Sequence, residues 1–116
     1  MLNKTIRAFI RVVLLVWAGQ ASALEYQLQP KQIAPETYLL QGKMQDFSRD
    51  NGGNIMNTAF VVTSEGVVVF DTGPSRRYGE AMRKAIAQVT DQPVAHVVIS
   101  HQHPDHFLGN QAFADV

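Results

Sequence analysis

The 116-residue sequence predicts an α/β (α+β) fold built on a mixed sheet. Three observations carry that expectation. Short runs rich in Val, Phe and Thr stand at 58–63, 67–70 and 94–100. Apolar residues at helical spacing lie between the second and third runs. A helical crossover makes the strands it joins parallel, whereas the short Ser64-Glu65-Gly66 link makes its neighbours an antiparallel hairpin.

The chain opens on a removable leader. Lys4, Arg7 and Arg11 form a positive region, Val12 to Ala18 is apolar, and Ala21-Ser22-Ala23 has the A-x-A form of a cleavage site. Cleavage is expected after Ala23, which makes 1–23 a signal peptide and sends the protein out of the cytoplasm, to the periplasm. The apolar run is about half of the roughly 20 residues that span a bilayer, so no stable membrane span is expected after cleavage. Removing the leader leaves seven basic residues against ten acidic ones. No basic stripe with interleaved aromatics remains, so nucleic acid is not an expected partner. With no cysteine, an exported chain forms no disulfides.

Leu24 to Gln29 alternates apolar and polar, the period of a half-buried strand, and Pro30 ends it. Thr37 to Gln41 reads as a second strand. Gly42 to Asn54 is polar and turn-rich, either a flexible loop or one that folds over a substrate. Thr58 to Thr63 is a strand, and Gly66 closes the next turn. Val67 to Phe70 is uniformly apolar and is expected to be buried on both faces. It delivers Asp71-Thr72-Gly73-Pro74. Ser75 can cap a helix whose Tyr78, Ala81, Met82, Ala85, Ile86 and Val89 form one apolar stripe. Arg76-Arg77 reads as its solvated start. Asp91-Gln92-Pro93 breaks it, and Val94 to Ser100 is expected to be another buried strand. His96, with Val94 and Val98 on its face, reads as a packed core histidine. A second helix is expected after Pro104, packed through Phe107, Leu108 and Phe113.

Three of the four histidines fall in His101-Gln102-His103-Pro104-Asp105-His106. His101 and His103 follow an extended run, where i and i+2 point the same way and both rings can reach one metal. Pro104 turns the chain, so Asp105 and His106 can face a second metal. Paired metals about 3.5–4 Å apart act as Lewis acids on water and carbonyl groups. Imidazole and carboxylate suit zinc, iron or manganese.

His-x-His-x-Asp-His after a strand is similar to the signature of the metallo-β-lactamase superfamily, and Phe70-Asp71-Thr72-Gly73 resembles that family's first motif. The resemblance implies the N-terminal half of an αββα sandwich with metals at the sheet edges. It implies two divalent ions, zinc being the expected metal, with His101 and His103 on one, Asp105 and His106 on the other, and Asp71 hydrogen-bonded behind the ligands. It also implies a hydrolase acting on a small-molecule substrate, in which a metal-bound hydroxide attacks an ester, thioester, lactone or amide, with Asp105 as the catalytic carboxylate. The segments DFSRDNGGN, DTGPSRRYGEA and HPDHFLGNQAF resemble the quinoprotein relay system zinc metallohydrolases, which implies a link to a quinoprotein dehydrogenase system. A class B β-lactamase-like enzyme is the alternative.

Four ligand-type residues do not complete two sites, and no histidine follows His106. Residues 24–116 are therefore expected to be the N-terminal part of a longer, truncated domain. A non-catalytic metal-binding remnant is the contrasting reading.

Overall fold

The structure, a computed structural model, describes residues 23–116. The expected signal peptide lies outside the described residues, apart from Ala23. No described helix is long and apolar enough to cross a membrane.

One five-stranded mixed sheet organises the chain, with strand order β1-β2-β3-β4-β5. The strands are β1 (Lys31–Ala34), β2 (Thr37–Leu40), β3 (Thr58–Thr63), β4 (Gly66–Phe70) and β5 (Val94–Val98). The first four pair antiparallel, and β5 lies parallel to β4 after the crossover helix α1 (Arg76–Ala87). A single turn, α2 (Pro104–Phe107), and a 3-10 helix (Leu108–Phe113) complete it. The expected mixed sheet, hairpin and parallel crossover are all present.

Among the described residues, only one face of the sheet is covered. Leu40, Phe60, Val67 and Val69 point into a core with Tyr78, Met82, Ala85 and Ile86 of α1, and Phe113 closes it. Burying each large apolar side chain stabilises by about 1.5–3 kcal/mol. Tyr38 and Phe60, opposite each other on neighbouring strands, stack at 5.0 Å. Ser75 is extended and its Oγ accepts from the Tyr78 amide at 3.1 Å, which fixes where α1 begins. Gly73 (φ 88) precedes it, and a Cβ there would overlap the Tyr78 ring. Arg83 ties α1 to the last helix through the Ala112 carbonyl and an ion pair with Asp115.

The opposite face is open. Phe70 is 41% exposed and Val98 44%, so β4 is not buried on both faces and β5 is not a buried strand. His96 is exposed too, contrary to the core expectation. An irregularity in the β4–β5 register sets Val94 opposite Val67 but His96 opposite Val68. That slip sends Val94 toward α1 and His96 to the open face, although they are two residues apart.

The segment 24–29 is no strand. Its alternation is nonetheless real: Tyr26 and Leu28 turn inward against the core while Glu25, Gln27 and Gln29 face out. Tyr26 packs edge-on against Tyr78 at 5.2 Å, and its hydroxyl donates to the Gly52 carbonyl at 2.7 Å. The 42–54 loop is held by Asn51, whose Oδ1 accepts from the amides of Ser48 and Gly53, both at 3.0 Å. The helix expected after Pro104 is one α turn continued as 3-10, and Leu108 is 46% exposed rather than packed.

Candidate metal centre

The site lies where β4 and β5 end side by side. Both strands run the same way, so their C-terminal ends bring residue 71 and residues 100–106 together. The Asp71 amide donates to the Val98 carbonyl at 2.9 Å, continuing the ladder one residue past β4. Asp71 then takes a left-handed backbone (φ 61). Such a conformation costs a non-glycine residue on the order of 1 kcal/mol or more, and Asp is among the residues that tolerate it best.

This turn points the Asp71 carboxylate back across the strand ends, where three donors meet it. The Ser100 amide donates to Oδ1 at 2.7 Å. The Ser100 hydroxyl and His106 Nδ1 both reach Oδ2 at 2.7 Å. Burial works against the charge on Asp71. The Ser100 amide, His106 and the Ser100 hydroxyl together outweigh it and hold the carboxyl below its ordinary value of 3.8. Asp71 is therefore ionised near neutral pH, and His106 must place its ring proton on Nδ1, leaving Nε2 free.

The donors of the six-residue stretch converge in two pairs. His101 Nε2 lies 3.0 Å from His103 Nδ1, and the two rings meet edge-on at 4.7 Å. Two nitrogens on one tetrahedral zinc stand about 3.3–3.4 Å apart, so this pair fits a shared metal with a shift of a few tenths of an ångström. His106 Nε2 lies 3.8 Å from Asp105 Oδ2. That is the second pair, wider by about half an ångström than a shared metal asks. The His101 and His106 rings are 4.0 Å apart, so the pairs are neighbours. Imidazole and carboxylate donors without thiolate fit zinc and similar divalent ions. Among the described residues no three such side chains close on a single point.

A family profile, described as the Metallo-beta-lactamase superfamily, matches residues 52–116 and so takes in both motifs. The chain belongs to this superfamily. A linear primary-alkylsulfatase from a Pseudomonas strain is 35% identical over 49 residues, 42% of this chain and 9% of that protein. An inverting sec-alkylsulfatase from Pseudomonas, at 23% identity, superposes with a TM-score of 0.57 over 73% of this chain and 12% of its own. A beta-lactamase domain protein from Burkholderia ambifaria, at 25% identity, gives 0.53 over 79% and 28%. The structural likenesses establish the fold. This chain spans less than a third of the length of each of these relatives.

Within the superfamily frame, Asp71, His101, His103, Asp105 and His106 are all gathered at one sheet edge. Sequence reasoning missed Ser100, which bonds Asp71 twice and touches His101 Nδ1 at 2.8 Å. A serine before a histidine carries no signal of its own. The usable clue was its place at the end of the strand parallel to β4. Also missed were the ties that hold His106: the Thr72 amide donates to its carbonyl at 2.8 Å, and Thr72 Oγ1 donates to Asn110 Oδ1 at 2.7 Å. Arg76 pairs with Glu80 on the exposed helix surface, as a solvated start requires.

A cleft of about 310 Å³ beside the donors is lined by Phe47, Ile55, Pro74, Pro104, Asp105 and Leu108, with Asp105 itself in its wall. A cleft of about 440 Å³ between the 23–29 segment and α1 lies away from the donor pairs. Proximity to the donors makes the first the candidate reacting space.

Proposed function

We propose that these residues form the N-terminal part of the active site of an exported, zinc-dependent dinuclear hydrolase. His101 and His103 hold one metal, and Asp105 and His106 the second. Neither pair fills a metal's coordination sphere, so each site takes further ligands. The observation that carries the reading is the convergence of two donor pairs at 3.0 and 3.8 Å beside one carboxylate. The metals would supply Lewis acidity and a water acidic enough to attack near neutral pH.

The chain's own residues do the rest. Asp71 fixes the tautomer of His106, and Asp105 orients the attacking water and accepts its proton. The apolar wall of Phe47, Ile55, Pro74 and Leu108 seats the hydrocarbon part of an ester, thioester, lactone or amide. The leader pattern supports a periplasmic location, and the three segments named above support a partnership with a quinoprotein dehydrogenase system.

A second reading is favoured by one observation. The similarity to a linear primary-alkylsulfatase, taken with the apolar cleft beside Asp105, supports a sulfate ester with an alkyl group as substrate.

Equilibrium dialysis of the purified chain against zinc tests the core of the proposal. Binding that His101→Ala and His103→Ala abolish is expected, with no turnover by these residues alone. Zinc uptake indifferent to both substitutions would reject it. The full-length product, screened on carboxylic esters, thioesters, lactones, amides and alkyl sulfates, separates the two substrate readings.

A further inference from the structure

We propose that Ser100 is a positioning residue for His101: its hydroxyl holds the imidazole as the Nδ1–H tautomer and so presents the Nε2 lone pair to a metal. The inference rests on the metal-dependent reading above and deepens it. It follows from placing the hydrogens along one chain of contacts.

An ionised carboxylate only accepts. Asp71 Oδ2 stands 2.7 Å from the Ser100 hydroxyl oxygen, so the hydroxyl hydrogen lies between them. Serine has one such hydrogen. At the 2.8 Å contact with His101 Nδ1 the hydroxyl must therefore accept, and Nδ1 must carry the ring proton. A neutral imidazole has a single ring proton, so His101 Nε2 is left as a lone pair, facing His103 Nδ1 at 3.0 Å. The reverse direction would set two hydrogen-free oxygens against each other at 2.7 Å.

Ser100 can do this because its backbone is clamped as well: its amide donates to Asp71 Oδ1 at 2.7 Å, which fixes the angle from which the hydroxyl approaches. One carboxylate thus orients a histidine of each donor pair, His106 directly and His101 through Ser100. The sequence signature is a hydroxyl residue immediately before the first histidine, paired with Asp71 twenty-nine residues earlier.

Long-range proton–nitrogen NMR of the imidazole rings tests this in metal-free protein at about pH 8, above the ordinary histidine range. Wild type and Ser100→Thr are expected to carry the His101 proton on Nδ1, and Ser100→Ala to show a mixture. A wild-type His101 protonated on Nε2 would overturn the proposal, and this measurement needs no variant to fold. Zinc competition against a chelator gives the second readout. Ser100→Ala is expected to weaken binding about tenfold or more, with Ser100→Thr restoring it. Equal affinity of Ser100→Ala and wild type would also overturn it. Wild-type protein that shows the Nδ1–H tautomer but takes up no zinc would reject the metal-dependent reading and leave the role of Ser100 in setting the tautomer standing.

Discussion

Asp71 Oδ2 lies 2.7 Å from His106 Nδ1, although thirty-five residues separate them. The contact exists because parallel strands end together and because Asp71 accepts a left-handed backbone to turn toward them. Asp71→Asn keeps both the size and the tolerance of that backbone, but loses the charge and one acceptor oxygen. Zinc affinity is expected to fall about 10–100-fold while most of the fold's stability is kept. Asp71→Ala is expected to lose the same affinity and to cost about 1–3 kcal/mol more, since the Ser100 amide is left without its acceptor. Chelator competition and urea unfolding, run on both variants, separate the two effects.

Tyr78 gives the fold a pH signature. Its hydroxyl sits in the core within 2.9 Å of Thr58 Oγ1. Burial pushes its pKa up from 10.0 to about 12, with the Thr58 hydrogen bond opposing and Tyr26 reinforcing the shift. The folded state therefore holds this proton where the unfolded state has released it. Stability is full below pH 10.0 and declines as pH rises toward about 12. The loss amounts to about 2–3 kcal/mol. Urea midpoints followed across that window are expected to fall, and Tyr78→Phe is expected to flatten the decline.

Gly109 marks where the last helix meets the 71–75 turn. Its amide donates to the Gly73 carbonyl at 3.0 Å, and a Cβ there would overlap the Thr72 carbonyl. The obstacle is backbone, which cannot swing aside. Gly109→Ala is expected to cost about 1–3 kcal/mol and to weaken zinc binding, because Thr72 also holds the His106 carbonyl. A urea midpoint equal to that of wild type would contradict this.

The two faces of the sheet should respond differently to substitution. Phe60→Ala, on the face against α1, is expected to cost about 3–5 kcal/mol. Val98→Thr, on the open face, is expected to cost under about 1 kcal/mol and to reduce binding of a hydrophobic dye. Dye fluorescence and urea titration of the two variants, side by side, check the contrast.

Much of the fold was legible because it rests on local pattern. The hairpin of β3 and β4 announced itself through its residue types, and α1 through Ser75 and the Tyr78–Met82–Ala85 stripe. The candidate donor cluster was legible because four ligand-type residues crowd six positions. What failed was set by distant partners. Alternation at 24–29 predicts two faces correctly but cannot say whether the neighbour is a strand or Tyr78. His96 was placed on the wrong face because a register slip has no signature in the four Val and Ala residues around it. Ser100 was passed over because its role depends on Asp71, a residue on another strand.

The crossover through α1 also sets an order of events. Asp71 and Ser100 can meet only once the intervening chain has closed on itself, and that ordering entropy is met before any contact between the parallel strands offsets it. Until β5 docks beside β4, Asp71 reaches neither His106 nor the Ser100 hydroxyl, and nothing fixes the tautomer of either ring. The centre is therefore expected to form late in folding rather than to seed it. Metal capture would report that the parallel pair has formed, and a chelator added during refolding would leave the rate of sheet formation unchanged.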